Sequence, residues 1–233
     1  MTCTNADCIE GRIIRVDDRG KTWVDDCECR RLRWLTAHQG ERGFQTYDGP
    51  PRLADFDPGK CPRQKAAAGM ARLWLDQWTP GVGAYIWGRT GAGKTRFATA
   101  LVNELYLRTG HYPRMISVLA HVPDTSYDSG EWRETYRQAA RSRLLVLDNL
   151  RDDITGFRLG EVARLVEAFN RTRRTVVVTS TQDPATLRGA GAWGDIASRL
   201  CELAGVWNFQ LGGDDLRRVP TTDRRTMAAG GGR

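Results

Sequence analysis

Gly88-Arg89-Thr90-Gly91-Ala92-Gly93-Lys94-Thr95 decides the reading of this chain. A Gly, four residues and then Gly-Lys-Thr is the spacing of a phosphate loop. Glycines let successive backbone N–H groups wrap a polyphosphate with no Cβ in the way. Lys94 then reaches the β- and γ-phosphates, and the Thr95 hydroxyl sits on Mg²⁺. Upstream, Ala84-Tyr85-Ile86-Trp87 reads as a short buried strand running into the loop. Downstream, Arg96 to Leu107 places Phe97, Ala98, Leu101, Val102 and Leu105 at helical spacing. That helix would aim its positive end at the phosphates.

Leu144-Leu145-Val146-Leu147-Asp148 is the second decisive stretch. A continuous apolar run ending in an acid is the signature of a central parallel strand. Asp148 would lie beside the phosphate loop and hold Mg²⁺ through water. Asn149 follows, where many ATPases of this type carry Glu. Asn can orient an attacking water but cannot accept its proton, so the residue predicts slow hydrolysis.

The remaining core elements fit between these. Gln64–Trp78 reads as a helix, Pro113–Leu119 as a strand, Glu131–Arg141 and Leu159–Phe169 as helices. Residues 120 to 130 are polar and irregular. Thr175-Val176-Val177-Val178-Thr179-Ser180-Thr181 is another buried strand whose polar end should face the γ-phosphate. Thr181 is the candidate sensor there, with Ser180 and Gln182 as rivals. Asp195–Leu200 reads as a helix carrying Arg199, a candidate arginine finger for a neighbouring subunit. Val206–Leu211 is the last strand, and residues 220 to 233 read as a disordered tail.

Four of the six cysteines fall near the N-terminus: Cys3, Cys8, Cys27 and Cys29. The two pairs flank Ile13–Val16, a polar turn and Thr22–Val24, a hairpin pattern. Four thiolates would close a tetrahedral structural Zn²⁺ site in a zinc-ribbon-like module of residues 1–30. So small a module has almost no core of its own, and the metal would hold it together. The second pair, with one residue between its members, is tighter than the usual spacing. Cys61 and Cys201 are isolated and read as packed or incidental thiols. Residues 31–60, broken by Gly and Pro, read as a linker, and 61–219 as the nucleotide-binding domain. Arg30, Arg31 and Arg33 beside Trp34 read as the end of a short helix, with a stacking patch for single-stranded nucleic acid as the functional alternative.

The chain has 233 residues and a formal net charge of +7, an excess that suits an anionic partner. No apolar run approaches the ~20 residues of a membrane span, and the N-terminus is too polar for a signal peptide. A cytoplasmic location is expected, with reduced or metal-bound cysteines.

Together these stretches resemble the DnaC/DnaI/IstB group of AAA+ ATPases, the helicase loaders and transposition helpers. The resemblance spans about residues 54 to 219. It rests on Ala54-Asp55-Phe56-Asp57, the Gly88–Thr95 loop, Leu144–Asn149 and Asn170-Arg171 before Val176–Thr181. It rests also on Ser198-Arg199-Leu200 and Asp215-Leu216-Arg217-Arg218. It implies a three-layer α/β domain with a parallel sheet, binding ATP and Mg²⁺. It makes Lys94 and Thr95 part of Walker A, Asp148 the Walker B acid and Arg199 the finger. Thr181 falls where the sensor Asn is usual. The implied partners are a replicative helicase, gripped by the N-terminal module, single-stranded DNA, and further copies of the chain in the ATP state. A transposition helper on duplex DNA and an ATP-binding switch without turnover are the alternatives.

Overall fold

The computed structural model describes residues 3–56, 62–125 and 130–212. Asp57, Cys61, the Asp215–Arg218 motif and the tail of residues 220–233 lie outside the described residues.

The chain begins with a hairpin, β1 (Arg12–Val16) and β2 (Thr22–Asp26), followed by helix α1 (Glu28–His38). Two 3-10 turns, Gly40–Arg42 and Leu53–Asp55, lead to α2 (Pro62–Gln77). The core continues as β3 (Ala84–Gly88), α3 (Lys94–Thr109), β4 (Pro113–Ser117), α4 (Val118–His121) and α5 (Gly130–Arg141). It closes with β5 (Leu144–Leu150), α6 (Gly156–Arg171), β6 (Thr175–Ser180), α7 (Pro184–Gly189), α8 (Gly194–Ala204) and β7 (Asn208–Leu211).

Strands β3 to β7 form one parallel sheet in the order β4-β5-β6-β3-β7. Because every strand points the same way, each must be recrossed through a helix, and the helices cover both faces. The strand side chains show it. Leu144 and Val146 of β5, with Ile86 and Val177, pack under α2 and α3 around Phe97 and Leu101. Leu145 and Leu147, with Tyr85, Val176 and Val178, face the opposite layer around Val162, Leu165, Trp193 and Leu200. Alternate residues thus feed two cores, which is why the strands read as continuous apolar runs. This is the expected three-layer α/β arrangement.

The strand carrying Asp148 runs two residues further than its apolar run, to Leu150, with a register irregularity between Leu147 and Leu150. Asn149 sits in that bulge at φ 66. Asn tolerates this left-handed conformation better than most residues.

Residues 31–60, expected as a linker, begin inside α1. Leu35 of α1 is buried with Tyr106 and Leu107 of α3. Arg31 is buried, donates to the Leu107 carbonyl at 2.8 Å and pairs with Asp25 of the hairpin at 2.6 Å. Arg52 bridges Glu104 of α3 at 2.7 Å and Glu28 at 3.4 Å. The Cys-bearing segment is therefore docked on the end of α3.

Candidate functional site

The phosphate loop joins the end of β3 to the start of α3, at the C-terminal edge of the sheet. Gly88 and Gly93 show why glycine is needed. A Cβ on Gly88 would lie 2.1 Å from the Leu211 carbonyl oxygen, and Gly93 caps α3 at φ 83. The left-handed turn at Gly93 directs the chain into the helix, so the N-terminus of α3 starts at the loop. A polyphosphate fits this cradle: positive-φ glycines, a helix N-terminus and a lysine in one turn.

Lys94 donates from Nζ to the carbonyl oxygens of Gly88 at 2.8 Å and Arg89 at 2.9 Å, folded across its own loop. Thr95 Oγ1 donates to Asp148 Oδ1 at 2.8 Å. With its proton on Asp148, the Thr95 oxygen keeps lone pairs for a cation. The structure thus bonds Thr95 to Asp148 beside the loop that Lys94 folds across, and the hydroxyl–carboxylate pair suits Mg²⁺.

Thr179 is the member that sequence reasoning passed over. Its hydroxyl donates to the same Asp148 Oδ1 at 2.7 Å and accepts the Asn149 N–H at 2.9 Å. Thr181 lies one residue beyond β6. Of its rivals, Ser180 donates to the Leu150 carbonyl, and the Gln182 side-chain oxygen accepts the Asp152 N–H. So the hydroxyl that meets the acid comes from two residues earlier than the chosen sensor. The signal was present as a Thr within the buried strand, but three hydroxyl residues compete there.

Arg199 lies on α8, half-exposed, and pairs with Glu167 of α6 in the same chain. The two residues border an open groove of about 820 Å³ between α6 and α8, lined also by Asp195, Ile196 and Arg164.

The four N-terminal sulfurs converge. Cys3 and Cys27 are 3.5 Å apart, Cys8 and Cys29 3.7 Å, and all four lie within 4.8 Å of one another. A tetrahedral zinc with Zn–S bonds of about 2.3 Å places its sulfurs about 3.8 Å apart. The residues fit the metal. The tight Cys27–Cys29 spacing has a structural reason: Cys27 caps α1 and Cys29 lies in its first turn. A helix N-terminus favours thiolates. Without a metal, burial pushes the Cys29 thiol up to about 12, while backbone hydrogen bonding at Asn5 draws Cys3 down to about 7.

Trp34 is occupied by its own neighbours. It stacks on His38 at 4.8 Å, meets Tyr112 edge-on at 4.5 Å, and carries the Arg42 guanidinium over its ring at 5.1 Å.

This sheet order and loop make a three-layer α/β P-loop domain with the AAA+ fold. Solved structures share it. A DnaI crystal structure matches with a TM-score of 0.58 at 20% identity, covering 71% of this chain and 90% of that one. A DnaC helicase loader matches at 0.55 and 19%, covering 70% and 97%. Domain III of the Thermotoga maritima replication initiation protein DnaA matches at 0.54 and 17%, covering 79% and 74%. No protein-family description matches the chain, and no curated protein matches it by sequence. Among the described residues no helix is long and apolar enough to cross a membrane.

Proposed function

We propose that this chain is an ATP-dependent loader of a replicative helicase onto single-stranded DNA, and a slow ATPase. The observation that carries the nucleotide arm is the preassembled Lys94–Thr95–Asp148 constellation at the mouth of a glycine cradle. Lys94 would exchange the loop carbonyls for β- and γ-phosphate oxygens. Mg²⁺, held by Thr95 and through water by Asp148, would neutralise charge developing on the γ-phosphate. The backbone of Gly88–Thr95, including Arg89, Thr90 and Ala92, would hold the phosphates. Asn149 and Thr181 would orient the attacking water, with no carboxylate at position 149 to take its proton. Arg199 would leave Glu167 to reach the nucleotide of an adjacent copy, coupling turnover to assembly.

The partner arm is supported by the hairpin. Ile14 and Val24 are cross-strand partners, more than half exposed, and Val16 shares their face. Ile13, on the other face, is buried. A small apolar face on a metal-held module is a protein-docking surface. Two neighbours in fold, DnaI and the DnaC helicase loader, favour a loader over a transposition helper.

Co-purification with the replicative helicase, together with preference for single-stranded over duplex DNA, tests this reading. Ile14→Ser/Val24→Ser should lose helicase capture and keep ATP binding. A chain that ignores helicase and forms ATP-dependent filaments on duplex DNA is a transposition helper instead. Asn149 favours a further reading, a switch that binds ATP and assembles with negligible turnover.

A further inference from the structure

The phosphate loop lies at the C-terminal edge of the sheet. At the opposite edge, where β4 and β5 begin, is an open cleft of about 740 Å³. Its size is that of a nucleotide-sized ligand site. Arg42, Arg114, Arg141 and Arg143 line it, with Glu41 as its lining carboxylate. Among the described residues none of these arginines is in an ion pair.

The cleft is built rather than incidental. Gly43, at φ 79, packs so closely on edge strand β4 that a Cβ would lie 2.2 Å from the Met115 carbonyl oxygen. This contact holds the Gly40–Arg42 turn as one wall. Arg42 is then fixed over the Trp34 and Tyr112 rings at 5.1 and 5.2 Å. Arg114 extends from β4 to the Gln138 side chain of α5, and its Nε is buried with no hydrogen-bond partner. Arg143 donates to His111 Nε2 at 3.1 Å, which fixes that ring as a neutral acceptor. Burial and the neighbouring Arg42 charge both push Arg114 below the ordinary arginine value, and Glu134 offsets them in part. Guanidinium groups crowded in this way are relieved by a bound anion.

We infer that this cleft binds the phosphodiester backbone of single-stranded nucleic acid, with a base against Tyr112. The inference rests on the DNA arm of the proposed function and gives it a location. Tyr112 decides between nucleic acid and an acidic protein segment. Tyr112 is 40% exposed at the rim, with its ring backed by the Arg42 guanidinium and packed against Trp34 and Tyr106; the aromatic surface it leaves open is one that a base can stack on and a carboxylate cannot. The position implies that bound DNA touches neither the ATP site nor its loop.

The test is fluorescence anisotropy of the whole zinc-loaded chain with a fluorescein-labelled oligothymidylate, over a salt series. Arg141→Gln/Arg143→Gln changes two exposed side chains. Zinc content and thermal unfolding check that the variant is folded. It should bind about tenfold more weakly at moderate salt, with the log–log salt slope reduced by about 1.4, or about 0.7 per lost phosphate contact. Iododeoxyuridine-substituted DNA should photo-cross-link to Tyr112. If wild type binds and the variant keeps both affinity and slope, the cleft assignment is overturned and the loader reading survives. If wild type binds no oligothymidylate, the DNA arm of the proposed function falls with it. Loss of oligoglutamate binding with oligothymidylate binding intact would hand the cleft to an acidic protein segment and overturn the inference.

Discussion

Thr179 and Asp148 are joined by a 2.7 Å hydrogen bond, buried between adjacent strands, and the same carboxylate oxygen accepts from Thr95 at 2.8 Å. Asp148 is therefore fixed from both sides. The strand supplies a hydroxyl that positions the acid, and the phosphate-loop helix supplies one that can also face a metal.

Thr179→Val tests the positioning half. The variant keeps the shape and β propensity of the residue, but leaves the Asn149 N–H without its acceptor and Asp148 with one donor fewer. Loss of about 1–3 kcal/mol of stability is expected, with weaker Mg²⁺-dependent ATP binding. Thr179→Ser should restore both. Denaturant unfolding and ATP titration with and without Mg²⁺ are the measurements. An unchanged Val variant would mean that the bond positions nothing.

Asn149→Glu should raise ATP turnover, on the order of 10²-fold, by supplying a carboxylate that accepts the water proton. The backbone at this position sits at φ 66, so the same change should lower stability by about 1 kcal/mol. Steady-state hydrolysis and thermal unfolding of the two proteins separate the effects. Equal turnover would show that position 149 does not limit the reaction.

How much was legible in the sequence follows from locality. The Gly88–Thr95 loop, the apolar strands and the acid at the end of one of them are written in consecutive residues, and in the structure Asp148 meets the Thr95 hydroxyl. Thr179 was hidden because its partner is set by strand order and by the bulge after Leu147. Thr179, Ser180 and Thr181 are equivalent in a string but face different neighbours in a sheet. Helix α1 was legible only as the end of a short helix at Arg30–Trp34, because its sequence, Glu28–His38, is rich in Arg and buries little beyond Arg31 and Leu35. It packs on α3, and its start closes a cluster with Cys3 and Cys8, partners that lie far from it in sequence. The Cys27–Cys29 spacing looked too tight only because the helix start that carries it was not seen.

Zinc removal should disturb the N-terminal module first. Metal analysis should give about one zinc per chain for a four-thiolate site. A strong chelator, or Cys27→Ser, should loosen α1 and raise proteolysis within residues 3–38, leaving the ATP site competent. Mass-spectrometric mapping of the cleavage sites reads this directly. A zinc-free chain with an intact module would remove the metal from the account.

Arg31→Met removes the buried guanidinium that ties Asp25 of the hairpin to the Leu107 carbonyl of α3. Because Asp25 is partly exposed, the expected loss is about 1–3 kcal/mol rather than that of a fully buried pair. Hydrogen exchange should rise across the hairpin and α1 before the sheet. Uniform exchange across both would place the cysteine module within the main cooperative unit.

The most direct test of the central claim is ATP turnover by the purified chain, with and without single-stranded DNA, beside Lys94→Ala and Arg199→Ala. The account predicts slow turnover that DNA stimulates, lost in both variants, with ATP binding lost only in Lys94→Ala. Turnover in Lys94→Ala equal to that of wild type would contradict it, because the preassembled loop would then not be the site of the reaction.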